Sequence, residues 1–329
     1  SHFLQIGTDW TSGMYVANLT ESATGKQSQI WFVVRDDSST SDILFQNSFT
    51  TFLAYNHYGT QERHSLYGFN STNGQRAFKV SFDRPLGQLT TDPSRYDNML
   101  NYEYPMARWL ESQGYDVSYV TNMDIHADPN LLLQHKTFMS VGHDEYWSQA
   151  MRDNVEQARD AGVNLAFFSA NSAYWRVRFE PSGAGEPDRV MVCYKDPAAN
   201  DPLAPTYRWR DPENNRPENA LLGVMYTGDD VYSIYGGYDH IVANSADPYY
   251  DFTGLSDGDA LTGLVGFEWD AVVPNGFTPA GLVVLSQSIV DPKGVTPGLP
   301  PGTDTTISNA VRYTAASGAK VFASGSIQW

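Results

Sequence analysis

The chain has 329 residues, a formal net charge of −17 and one cysteine. A chain of this length can bury a substantial core. Its acidity argues against a nucleic-acid partner, which needs a clustered basic face, and the single Cys193 excludes an internal disulfide framework and any thiolate metal cluster. Hydrophobic residues make up 41% and charged residues 18%, the balance of a folded protein. No run approaches the ~20 apolar residues of a membrane span, so a soluble protein is expected, cytoplasmic or secreted. The opening "SHFLQIGTDW" has no Met and no apolar leader and reads as part of something longer, which leaves a removed signal peptide and the compartment open.

Residues 1–94 read as a β-rich segment. "SGMYVANLT" and "SQIWFVVRDD" are strand-like runs around the polar turn "ESATGKQ", "ILFQNSFTTFLAYN" is a further extended candidate, and "AFKVSFDRPL" ends at Pro85. From 95 the pattern alternates. Met99, Tyr102, Met106, Trp109 and Leu110 recur at helical spacing before a stop at Gly114, and "YDVSYVT" alternates at period two. "PNLLLQHKTFMSVG" gives a short helix and a strand; "EYWSQAMRDNVEQARDAGVNLAFFSA" repeats helix, stop and strand. Such alternation implies βαβ units, so an α/β core with a three-layer, mostly parallel sheet is expected over 95–178 and 261–329. Residues 179–260, rich in Pro, Asp, Asn and Tyr, read as a long irregular insertion. In the last part, "AGLVVLSQSIV" and "AKVFASGSIQW" are strand-like and "TTISNAVRYTAASG" is predicted as a helix with a Gly stop. The whole of 1–329 is taken as one domain.

In an open parallel sheet, ligands bind beyond the carboxyl ends of the strands. "TFMSVG" therefore delivers His143, Asp144 and Glu145 to that end, and "VNLAFFSA" delivers Asn171 beside them. The alternative is that Asp144 or Glu145 caps the helix beginning near Trp147. "DIHAD" has ligand-like spacing at Asp124, His126 and Asp128, but it precedes a helix, and Asp128 is the better candidate for a cap. Cys193 lacks the flanking glycines of a nucleophile elbow and is expected to be a bystander.

"SVGHDEYWS" followed by "FFSANSAYWRVR" resembles the catalytic domain of the large (beta) subunit of N,N-dimethylformamidase and its relatives. "TTFLAYN", "SLYG" and the closing "VFASGSIQW" are similar to other segments of that family, so the resemblance runs over nearly the whole chain. It implies a core of class I glutamine amidotransferase-like type without that fold's nucleophilic cysteine. It also implies one mononuclear iron (Fe³⁺) held by two tyrosines and a glutamate, here Tyr55, Tyr67 and Glu145, with His143 and Asn171 beside it as catalytic residues. Phenolate and carboxylate are hard oxygen donors that suit a ferric ion. Such an ion polarises an amide carbonyl and acidifies water, His143 would move the proton, and Asn171 would orient the water or the developing oxyanion.

The function so implied is an amidohydrolase acting on the C–N bond of a small amide, with a partner subunit or a homo-oligomer as its assembly. Two other readings stand beside it. Tyr55 and Tyr67 can simply pack a hairpin, in a non-catalytic module that binds carbohydrate or protein within a larger surface or secreted protein. Alternatively, His143 and Glu145 with His57 or His64 can hold zinc. The stretch "NHYGTQERHS" between the tyrosines is shorter than the resemblance leads one to expect, which points to a different substrate.

Overall fold

A computed structural model describes residues 4–56, 58, 65–71, 74–87, 89–90, 99–195, 201–233 and 237–329. The protein is a mixed α/β fold with several sheets and, among the described residues, six α-helices. Its centre is a seven-stranded sheet in the order Val283–Val284, Val311–Thr314, Lys320–Ala323, Asn164–Ala170, Thr137–His143, Ile43–Asn47, Val117–Thr121. The last five of these are parallel; Val311–Thr314 runs antiparallel to both its neighbours, so Val283–Val284 at the far edge points the same way as the five. Numbered along the chain, the parallel strands lie in the order 2-1-3-4-5 from the Val117–Thr121 edge, the flavodoxin-like arrangement.

Alternation at period two sorts the side chains of this sheet onto two buried faces. Leu44, Phe138, Leu165, Phe167 and Val321 pack against Ile125, Leu131, Leu132, Met151 and Val155 from the helices Asn122–Ala127, Asn130–Leu133 and Gln149–Asp160. Ile43, Phe45, Tyr119, Met139 and Val141 pack on the opposite face against Ala107 and Leu110 of the helix Glu103–Ser112, with Met14 and Val33 from the hairpin Gly13–Thr20/Gln27–Val34 at the margin. Two of the three predicted glycine stops hold: Gly114 and Gly162 adopt positive φ just beyond their helices.

Three expectations are corrected. "ILFQNSFTTFLAYN" is extended only to Asn47; Phe49–Tyr55 is a helix with every residue after Phe49 buried. Its β-branched threonines favour a strand locally, but tertiary contacts override that propensity. "TTISNAVRYTAASG" is not a helix. Val311–Thr314 and Lys320–Ala323 form an antiparallel hairpin closed by the Ala315 N–H donating to the Ala319 carbonyl at 2.8 Å. Val311 and Tyr313 point inward while Arg312 pairs with Asp247, a period of two that the sequence carried but that was read at 3.6. The stretch read as an irregular insertion holds several short strands. Val190–Val192 joins Lys79–Ser81, Trp175–Glu180 and Tyr146–Ser148 in a four-stranded sheet, Met225–Asp229 pairs with Glu268–Ala271 and Gly294–Val295, and Tyr238–Ile241 pairs with Ala260–Val265.

One glycine fixes how the sheet delivers its polar tip. Gly142 sits at φ 75°, and a Cβ there would lie 2.2 Å from the Tyr102 Cβ. Both the backbone and the space exclude a side chain. The variant Gly142→Ala is expected to lose roughly 2–4 kcal/mol of stability, read as a lowered midpoint in urea unfolding.

Candidate active site

The crevice of a 2-1-3-4-5 sheet opens where the chain connections from the first and third strands leave in opposite directions. Here those strands are Ile43–Asn47 and Thr137–His143, hydrogen-bonded neighbours. Beyond the first, the chain turns into the helix Phe49–Tyr55; beyond the third come His143, Asp144 and Glu145. Neither acid caps the following helix: Ser148 does, accepting from the Met151 N–H. Asp144 is instead buried as an anchor across the switch point, accepting from Gln46 Nε2 at 2.6 Å and Ser140 Oγ at 2.7 Å. In "DIHAD", Asp124 closes a capping box with Thr121, and Asp128 accepts from the Asn130 N–H ahead of the next helix. Cys193 is buried, and burial pushes its thiol up to about 12.

The helix Phe49–Tyr55 is pinned to the segment after the third strand by its threonines. Thr50 Oγ1 donates to the Tyr146 carbonyl at 2.8 Å, and Thr51 Oγ1 accepts from the Glu145 N–H at 3.0 Å. Four residues on, on the same helix face, Tyr55 donates its phenol to Glu145 Oε2 at 3.1 Å. The Leu66 N–H donates to the Ala54 carbonyl at 2.8 Å, which lays the next segment alongside. The rings of Tyr55 and Tyr67 then stack 4.2 Å apart, and the Tyr67 phenol reaches Glu145 Oε2 at 3.0 Å and Oε1 at 3.2 Å. Trp175 Nε1 donates to Oε1 at 2.8 Å, and the Tyr146 phenol donates to that of Tyr67 at 2.5 Å. Tyr55, Tyr67 and Glu145, predicted as one set, are brought together.

His143 and Asn171 adjoin them. His143 Nε2 lies 3.4 Å from Glu145 Oε2 and 3.3 Å from Glu268 Oε2. Asn171, held at φ 54°, donates its N–H to Asp270 Oδ1 at 2.8 Å and its Nδ2 to Glu268 Oε2 at 3.2 Å. Glu268 and Asp270 alternate along one strand and so face the same way. Sequence reasoning missed both, although "FEWDA" carries that alternation. It also missed Trp175 and Lys195, whose Nζ is buried 3.3 Å from the centroid of the Tyr67 ring and finds no hydrogen-bond partner among the described residues.

Burial raises a carboxyl's pKa, and neighbours decide how far. For Glu145, burial is outweighed by His143, by the charge of Lys195 and by the Tyr67 phenol, so its carboxyl is held below its ordinary value. Glu268 goes the other way: burial, with repulsion from Glu145, pushes it up to about 8 against the pull of His143. Burial also opposes charge on His143, but Glu268 and Glu145 together raise it. Burial first, then Glu145, lifts both phenols well above their ordinary value, and they stand as neutral donors. Lys195 is pushed down to about 8 by burial.

The donor set fits a hard cation. Two oxygens bound about 2 Å from one ion at right angles lie roughly 3 Å apart, and the contacts of Tyr55 and Tyr67 with Glu145 Oε2 are 3.1 and 3.0 Å. Among the described residues, no group of three or more His, Cys, Asp or Glu has the geometry to hold a metal, and His57 and His64, the other half of the zinc reading, lie outside them.

The fold is thus a mixed α/β one whose central sheet carries a buried acid, two phenols and a histidine at its switch point. The chain belongs to the N,N-dimethylformamidase beta subunit-like, C-terminal family, whose family model spans residues 1–329. None of the curated proteins compared with it matches the chain. Among the described residues, no helix is long and apolar enough to cross a membrane.

Behind the crevice lies another acid, Glu103. It is fully buried, accepts the Ser48 N–H at 3.1 Å, and is pushed up to about 8 by burial. Below pH ~4.5 the group is protonated folded or unfolded and costs nothing. Between pH ~4.5 and 8 the unfolded chain releases the proton while the folded one keeps it, so stability falls as pH rises. Glu103→Gln keeps the acceptor and removes this loss. The variant is expected to gain thermal stability over the parent at pH 8 and much less at pH 5, as read by calorimetry at both.

Proposed function

We propose that the protein is an iron-dependent amidohydrolase that cleaves the C–N bond of a small amide. The observation that carries this reading is the convergence of the Tyr55, Tyr67 and Glu145 oxygens, within 3.2 Å of one another through Glu145, at the switch point of the sheet. The strand order supports the class I glutamine amidotransferase-like core that goes with it, and the family's beta subunit-like description supports a partner subunit.

Tyr55, Tyr67 and Glu145 would hold the ion. When bound, a trivalent cation supplies Lewis acidity: it polarises a carbonyl, acidifies water and favours the phenolate forms. The chain's own residues handle everything else. His143, between Glu145 and Glu268, takes a proton from the attacking water as its oxygen bonds to the carbonyl carbon. It returns that proton to the nitrogen as the C–N bond breaks, so amide and water become carboxylic acid and amine. Glu268, held protonated near neutral pH, and the Nδ2 of Asn171 place donors on the same side. Asn171 Oδ1, buried and unpartnered among the described residues, is an acceptor available to substrate or water. Trp175 and Tyr146 close the inner wall and keep bulk water from Glu145.

Metal analysis of the purified protein is expected to give close to one iron per chain with a visible tyrosinate-to-iron absorption. Well below one iron, with no such band, overturns the reading. Tyr55→Phe and Tyr67→Phe are each expected to weaken iron binding by more than the 10–100-fold typical of outer-shell partners and to lose the band. His143→Gln is expected to retain iron and lose roughly 10²–10⁴ in kcat.

A further inference from the structure

The two sides of this centre differ in how they are closed, and that difference bears on which arm of an amide can be large. On the side of His143 and Glu268 the wall is packed. Phe267 lies edge-on to His143 at 6.4 Å and forms one buried cluster with Ala170 and Ile327. On the side of the tyrosines, among the described residues, the wall ends in one exposed ring. Phe69 packs on Tyr67 with ring centroids 5.3 Å apart and on Tyr55 at 6.5 Å, yet it is 69% exposed. It is not a dangling side chain. Its turn, Gly68–Asn70, is clasped by Ser65 Oγ and Ser71 Oγ, both donating to the Tyr67 carbonyl at 3.0 and 3.2 Å. A Cβ on Gly68 would lie 2.4 Å from the Gly74 carbonyl oxygen, so the turn is closed down on the residues that follow.

An amide carbon has three arms in one plane. The oxygen must face the three-oxygen centre. The nitrogen must face His143 and Glu268, which supply the proton it leaves with. The acyl substituent is then directed to the remaining side, along Tyr55 and Tyr67 toward Phe69. Resting on the amidohydrolase reading, we infer that the substrate is an amide of a small amine with an apolar acyl chain, and that Phe69 is the specificity-determining residue that packs against this chain. A formyl group, which has no carbon beyond the carbonyl, would leave the Tyr55–Tyr67–Phe69 wall uncovered.

Two isomeric amides with the same atoms separate the arms: N-methylpentanamide carries its bulk on the acyl side and N-butylacetamide on the amine side. Iron-loaded protein is expected to favour N-methylpentanamide at least tenfold in kcat/KM, a discrimination within reach of a hydrophobic pocket. Phe69→Ala is expected to reduce that preference at least threefold with the iron content unchanged. Its ring is mostly exposed, so folding does not depend on it. Saturation-transfer NMR on the protein as isolated gives a second reading: the terminal methyl of N-methylpentanamide is expected to receive saturation in the parent and to lose most of it in the variant. Equal or better cleavage of N-butylacetamide, or a preference and NMR signal unmoved by Phe69→Ala, overturns the inference while leaving the amidohydrolase reading in place. No hydrolysis of either isomer by iron-loaded protein that still cleaves N,N-dimethylformamide overturns the inference alone, and no hydrolysis of any of the three amides overturns that reading and the inference with it.

Discussion

The carboxylate of Glu145 is the contact on which the rest of the crevice depends. A buried carboxylate is costly unless its lone pairs are satisfied, and this one draws donors from separate parts of the chain. Tyr55 comes from the helix Phe49–Tyr55, Tyr67 from the turn after it, Trp175 from the four-stranded sheet and His143 from the end of the strand just before Glu145. Lys195 adds the nearby positive charge. Each donor brings its own element into register, so the centre organises the fold around it as well as being placed by it. The backbone takes part too: the Glu145 N–H is held by Thr51, and its carbonyl accepts from both the Tyr174 and Trp175 N–H groups. The side chain therefore cannot swing without disturbing both neighbours.

Two carboxyls that meet at one imidazole nitrogen, His143 Nε2, are driven apart by their surroundings. Glu145 faces phenols, an indole N–H and an ammonium, and stays ionised; Glu268 faces an amide, an imidazole and the repulsion of Glu145, and keeps its proton. Two acids with opposed protonation within a few ångströms of each other are the pattern by which a site separates acid from base roles. The neutral phenols fit the same scheme. They satisfy Glu145 as donors.

Much of this was legible where the physics is local. The apolar runs Phe138–Val141 and Leu165–Phe168 read as buried parallel strands because both faces of the sheet are covered, and their ends therefore located His143, Glu145 and Asn171. Tyr55 and Tyr67 came from resemblance rather than from pattern: twenty tyrosines offer no spacing that singles out two. Glu268, Trp175 and Lys195 were missed for a related reason. Each reaches the centre through long-range packing, and a short strand such as Glu268–Ala271 leaves a weak periodic trace. The helix Phe49–Tyr55 was misread because its threonines are used as tertiary hydrogen-bonding groups, which local β propensity cannot reveal.

The division of labour within the crevice follows from which groups are rigid. His143, Glu145 and Asn171 stand at the ends of hydrogen-bonded neighbouring strands, and Asp144 ties the switch point through Gln46 and Ser140. Proton transfer would demand that precision, since small displacements are costly in rate. Tyr67 and Phe69 come from a turn outside the sheet, clasped by serine hydroxyls. A turn can be shortened or rebuilt without disturbing the strands, so the outer wall can change while the floor stays fixed.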